Sequence, residues 1–296
     1  MIGLRGQITG LIVLPALAVI LPWGLFFRLA RVMSRFSWLF KQETQQAVTG
    51  VEQTGQFVAD EVWCRHYRMY KIIDAVDPWL SRFRGDAWMV RHIDVFGKWP
   101  DNTPFIANSM HFGAGFWALR HIRVNASPIS LIMRPFDEWQ KAFSWPMQVY
   151  LRAYEKAVLR AQGAAVTYTG KGFTERFKAS LAAGNNQLSM IDVPKGKNIN
   201  AFHVEFLGRP TYFVNGVVAL AKQLNRPVVP YVMMVDFETG RRQLHIGTPI
   251  AQESNLKESI QELAAFFDPF IRHDSAAWQL WGQYSAFLNS EFKQEE

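Results

Sequence analysis

Pro104-Phe-Ile-Ala-Asn108-Ser-Met-His111-Phe-Gly113-Ala-Gly115-Phe-Trp117 divides into three parts. Residues 104–108 are a short apolar run of strand character. His111 stands just past its end. Gly113 and Gly115 then lead into a helical pattern. A strand that turns through glycines into a helix is the building unit of an α/β sheet, and ligands of such sheets bind at the carboxyl ends of the strands. The pattern extends in both directions. Strand-like runs are expected at 89–96, 104–108, 128–133, 164–168, 187–191, 204–207, 227–235 and 243–246. Helical patterns are expected at 43–87, interrupted at Asp77-Pro78, then at 136–160, 173–183, 214–224 and from Asn255 onward. The core of 227–235, VVPYVMMV, is apolar throughout, as a strand covered on both faces must be. Asn255 with Glu258 forms a capping box, and Leu256, Ile260, Leu263, Ala264 and Phe267 share one face of the helix that follows. The expected fold is α/β, a mixed sheet flanked by helices, without internal repeat or linker.

The bulk composition is that of a globular chain tilted toward apolar. Of 296 residues 49% are hydrophobic and 19% charged, which excludes disorder. Eleven Trp and 23 Phe suit a core and also a membrane interface. The net charge of +7 favours acidic partners: anionic lipid, nucleic acid or an acidic carrier protein. No zinc-finger spacing, RNP-type motif or long basic run supports nucleic acid, so no nucleic-acid partner is expected. Cys64 is the single cysteine, which excludes an intramolecular disulfide and a cysteine metal cluster and points to a reducing compartment. Its neighbours Arg65 and His66 favour a thiolate, while a packed structural thiol is the plainer reading.

Residues 6–27 carry no charge, a length sufficient to cross a bilayer as a helix. Arg28, Arg31, Arg35 and Lys41 follow, so the rest of the chain is expected on the cytoplasmic side. Pro15 and Pro22 each remove a helical hydrogen bond, which leaves a helix dipping into one leaflet as the alternative. Residues 1–42 are thus expected to form a membrane-anchoring helix with a basic flank, and residues 43–296 an α/β domain.

A histidine at a strand's carboxyl end, with glycines and a helix start behind it, suits a general base beside an oxyanion pocket. A structural histidine is the plainer alternative. Further stretches carry a resemblance. His111-Phe112-Gly113, Arg160-Ala-Gln-Gly163, Gly172 followed by Leu181-Ala-Ala-Gly184, and Met190-Ile-Asp192 occur in that order. Phe206-Leu-Gly208-Arg209-Pro210, the small-residue run 216–221 before Pro227-Val-Val-Pro230, and Trp278-Gln-Leu-Trp281 follow. Together they resemble the bacterial lipid A biosynthesis acyltransferases of the lysophospholipid acyltransferase superfamily, over residues 10–285. The resemblance implies a glycerol-3-phosphate acyltransferase-like fold at the cytoplasmic face of the inner membrane. It also implies transfer of a fatty acyl chain from an acyl-carrier-protein or coenzyme A thioester to a hydroxyl of a membrane lipid. The donor is then a substrate, and neither a cofactor nor a metal is expected.

In that family an acid five residues after the histidine orients the imidazole. Here that position is Phe116, which cannot. Asp192, at the end of its own strand-like run, is the first substitute; Asp137 and Glu205 are weaker candidates. The missing acid also opens an amine acceptor, or a catalytically silent binding or scaffolding protein that keeps the acyl pocket. Arg134, after a strand and before Pro135, is placed to hold a phosphate or an oxyanion, or to make a surface ion pair. The resemblance adds Arg160 to the expected substrate-binding residues; Arg209 joins them from the Gly-Arg-Pro turn and Gly113 from the glycine loop. Lys195 and Lys197 form a basic loop, either for an acidic carrier or simply solvated.

Overall fold

The computed structural model describes residues 2–101, 103–135, 143–194 and 200–288. Nine strands are described: β1 Ile93–Phe96, β2 Ile106–Ser109, β3 Ile129–Met133, β4 Thr167–Tyr168, β5 Asn186–Met190, β6 Ala201–Phe206, β7 Arg209–Val214, β8 Val228–Val235 and β9 Arg242–Ile246. Seven build one sheet in the order β1-β9-β8-β2-β5-β3-β4. All neighbours in it are parallel except β8 and β9. The eight residues of β8 are all buried, and this strand sits between β9 and β2. Its unbroken apolar sequence follows from helices on both faces.

The expected mixed sheet flanked by helices is therefore present, with local differences. The helix expected to break at Asp77-Pro78 runs through Pro78 and is interrupted at Gly85 instead. The run 89–96 is a strand only from Ile93; Trp88 and Met89 are buried while still on the preceding helix. The long helix after β3 starts at Trp145, and residues 136–142 lie outside the described residues. Arg209 and Pro210, expected in a turn, and Val214, expected to open a helix, belong instead to β7, which pairs with β6 as a two-stranded antiparallel hairpin. Leu207 and Gly208 both have positive φ, 52° and 68°, as a two-residue turn of this twist requires.

The N-terminal segment departs most from expectation. Its pieces are α1 Ile2–Ile8, a π-helical turn Thr9–Val13, α2 Leu14–Ile20 and α3 Trp23–Met33. Leu21 is extended (φ −78°, ψ 150°), because the ring of Pro22 disfavours a helical residue before it. Among the described residues no helix is long and apolar enough to cross a membrane, so the expected spanning helix over 6–27 is not found. Leu14, Ala18, Trp23, Phe26 and Ala30 are instead buried in the same apolar core as the sheet.

Two further helices complete this side: α4 Lys41–Thr54 and the helical stretch α5 Glu61–His92, broken at Gly85. A buried ion pair pins α3 and α5 to β9, the second strand of the sheet. Arg242 on β9 and Asp77 on α5 are both fully buried and bonded to each other. The Arg242 guanidinium lies 4.3 Å from the Trp23 ring centroid and 5.1 Å from that of Trp88. Trp23 Nε1 donates to the Gly240 carbonyl at 3.0 Å. Burial raises the Asp77 carboxyl to about 6, against the lowering effect of Arg242. Removing one member strands the other's charge in the core. Asp77→Ala is expected to cost about 3–5 kcal/mol. Chemical denaturation checks this; a loss under about 1 kcal/mol, the level of a surface pair, would show that the clasp is incidental.

Candidate active site

β2 and β5 are parallel neighbours with Ser109 opposite Met190. Two residues further along each chain, at equal register, stand His111 and Asp192. The Ile191 amide donates to the Ser109 carbonyl at 2.9 Å, which carries the pairing past the strand ends. His111 Nδ1 lies 2.9 Å from Asp192 Oδ1, and the His111 backbone N–H donates to Asp192 Oδ2 at 2.8 Å. Trp278 Nε1 donates to the same Oδ2 at 2.8 Å. The Asp192 side chain is 0% exposed and that of His111 43%. A carboxylate only accepts, so Nδ1 carries the proton and Nε2 keeps its lone pair.

Burial pulls the imidazole toward its neutral form. The Asp192 charge and hydrogen bond, with a smaller contribution from Asp74, outweigh it, and the His111 pKa is raised above the ordinary histidine value.

The loop after His111 is held by its own backbone. Gly113 N–H donates to the Ala277 carbonyl and Ala114 N–H to the Met233 carbonyl, both at 2.8 Å. Gly113 has φ +66°, and a Cβ there would lie 1.9 Å from the Met233 oxygen. The glycine is needed for this close approach. Its N–H fastens the loop, and the residue itself lines the cavity beside His111. Helix α6, Phe116–Asn125, starts directly after.

His111 lines a cavity of about 510 Å³. Its lining is largely apolar, with Phe116, Leu119, Leu131, Leu151, Leu188 and Met190, and carries three charged residues, Glu43, Lys71 and Asp74. Phe116 is 5% exposed and meets Tyr154 edge-on, with ring centroids 5.7 Å apart.

His111, Gly113 and Asp192 thus converge. The three arginines do not. Arg134 is exposed just past β3, two strands from β2. Arg160 is exposed near the end of α7, Trp145–Gln162. Gly163, directly after that helix, bridges to Ile129 at the start of β3, so Arg160 lies at the sheet edge opposite His111. Arg209 donates to the Gln53 carbonyl at 3.1 Å, a tie between the hairpin and α4. None of the three lines the cavity. Glu205 is exposed on β6. Asp137, Lys195 and Lys197 lie outside the described residues. Among the described residues no group of three or more His, Cys, Asp or Glu could hold a metal ion.

Sequence reasoning missed Lys71 and Asp74. They occupy a stretch legible only as amphipathic helix, and nothing local shows that α5 crosses the carboxyl edge of the sheet. Compared with protein-family models and with curated proteins, the sequence matches none.

Phe116→Glu would restore the acid position of the resembled motif. Here His111 Nδ1 is already taken and position 116 is buried against Tyr154, so a glutamate adds an unpaired charge. We expect destabilisation of about 2–4 kcal/mol and no gain in any His111-dependent activity. A several-fold gain would show that Asp192 does not serve the imidazole.

Proposed function

We propose that the protein is an acyltransferase. It moves a fatty acyl chain from an acyl-carrier-protein or coenzyme A thioester to a hydroxyl or amine of a lipid or lipid-like acceptor. The observation that carries this reading is the His111–Asp192 pair beside a largely apolar cavity that also carries Glu43, Lys71 and Asp74. The acyl chain lies along the apolar lining, with the thioester carbonyl beside His111. Nε2 accepts the proton of the acceptor hydroxyl or amine as its oxygen or nitrogen bonds to the carbonyl carbon. The transient oxyanion meets the positive end of α6, whose Gly115 N-cap and first residue Phe116 are in the cavity wall. Collapse breaks the C–S bond, and the leaving thiolate takes the proton from Nε2. Asp192 fixes the tautomer and balances the imidazolium.

A raised His111 pKa keeps the imidazole protonated to higher pH, so kcat/KM should fall with acidity through a value above about 6.5. In Asp192→Asn the raising charge is gone and burial remains. The inflection should then move to lower pH, with turnover down roughly 10²–10⁴-fold. Thiol release from acyl-coenzyme A or acyl carrier protein, followed against pH, makes the measurement. Full activity of His111→Ala would end this mechanism, and no thiol release from any donor by the unaltered protein would leave a silent acyl-binding protein.

We further propose that the protein works at the cytoplasmic face of a bacterial inner membrane, with α3 lying in the interface. On this helix Leu25, Val32, Arg28 and Arg31 are exposed, and Arg35 and Phe36 just beyond it are exposed as well. Apolar side chains flanked by cations suit an anionic lipid surface. Deleting residues 1–27 would strip core side chains, so the informative variant is Leu25→Asp with Val32→Asp. Its fraction co-floating with anionic vesicles is expected to drop about tenfold. Unchanged flotation places the contact elsewhere.

A further inference from the structure

The acyl-transfer steps leave three charged side chains of the cavity unused. Lys71 and Asp74 lie three residues apart on α5, with Tyr67 one turn before, and all three side chains line the cavity. Glu43 reaches it from α4. Glu43, Lys71 and Asp74 are each half-buried. Among the described residues none of the three forms an ion pair, with each other or with any other group. Half-buried charges are costly unless paired, and unpaired charges of both signs lining a cavity are placed to pair with something that enters it.

Their signs specify what that is. Lys71 is the one lysine or arginine among the residues lining the cavity, against two carboxylates. Its ammonium stays charged: burial opposes this, but Tyr67, Asp74 and Glu43 hold its pKa above the ordinary lysine value. A phosphate monoester would bring up to two negative charges to a place that already carries a net negative charge. A ligand bearing one carboxylate and one ammonium finds an opposite charge for each end. Phosphate sites are built from several cations or from bidentate arginine, and the arginines expected to serve here lie outside the cavity.

We propose that Lys71, Asp74 and Glu43 recognise the polar end of the acyl acceptor, and that this end is an amino-acid-like zwitterion. Its carboxylate sits on Lys71 and its ammonium between Asp74 and Glu43. This rests on the acyl-transfer reading for the word acceptor, while the binding itself does not require turnover.

Equilibrium dialysis of the full-length protein with radiolabelled serine, ethanolamine and glycerol 3-phosphate tests it. Serine should bind at least about tenfold more tightly than glycerol 3-phosphate. Lys71→Met should weaken serine about tenfold and ethanolamine far less, while Lys71→Arg retains serine binding. Asp74→Asn should weaken both amines. Glu43→Gln, on a separate helix, should do the same and guards against a fold defect in α5 variants. Glycerol 3-phosphate binding as tightly as serine overturns the proposal, as does serine binding that none of the variants alters. Thiol release is read separately. Lys71- and Asp74-dependent serine binding without thiol release from any donor upholds the zwitterion site and removes the acyl-transfer reading alone.

Discussion

The Asp192 carboxylate accepts three hydrogen bonds, and each comes from a different obligation of the fold. The His111 amide belongs to the end of β2, the imidazole to the site, and the Trp278 indole to the carboxy-terminal segment. A fully buried carboxylate lacking these donors would carry a desolvation penalty of several kcal/mol. With them it locks the exits of two neighbouring strands and the closing segment into one arrangement. Gln279 N–H to the His111 carbonyl and Gly113 N–H to the Ala277 carbonyl reinforce the same junction. The imidazole's tautomer and direction are therefore by-products of how the chain is closed.

The roof of the cavity comes from the other end of the chain. α5 carries the polar lining, and its position depends on the buried Asp77–Arg242 pair and the rings stacked around it. The same clasp holds α3 through Trp23. The N-terminal apolar segment thus shares side chains with the core while keeping Leu25 and Val32 outward. Its high apolar content serves two surfaces, which explains why it reads as a membrane span when only hydropathy is counted.

The sheet was legible because its signals are local. VVPYVMMV, the capping box at Asn255 and the glycine turn after His111 each carry their own physical reason in a few residues. The boundaries of β1 and the hairpin strand β7 were less so. Trp88 and Met89 bury equally well on a helix or a strand, and Leu207-Gly208 shows only in three dimensions that its turn joins two paired strands. At the site, His111 and Asp192 could be inferred from their common place at strand ends. Trp278 as a donor to Asp192, and α5 over the cavity, depend on a contact between residues 86 apart in sequence and on the path of a helix, which no local pattern records. Arg160 illustrates the converse: a residue can fit a motif and stand at the far edge of the sheet.

His111 and Asp192 are 81 residues apart in sequence, and Trp278 follows 86 residues after Asp192. Strand β2 pairs only with β5 and β8, so when the first 110 residues have been made neither its partners nor the Asp192 carboxylate yet exists. When it is made, its third donor still lies far ahead. The site therefore cannot mature in pieces along the growing chain. A chain ending before residue 278 would leave the buried carboxylate one donor short, so the arrangement around His111 is complete only once the carboxy-terminal segment has closed over it.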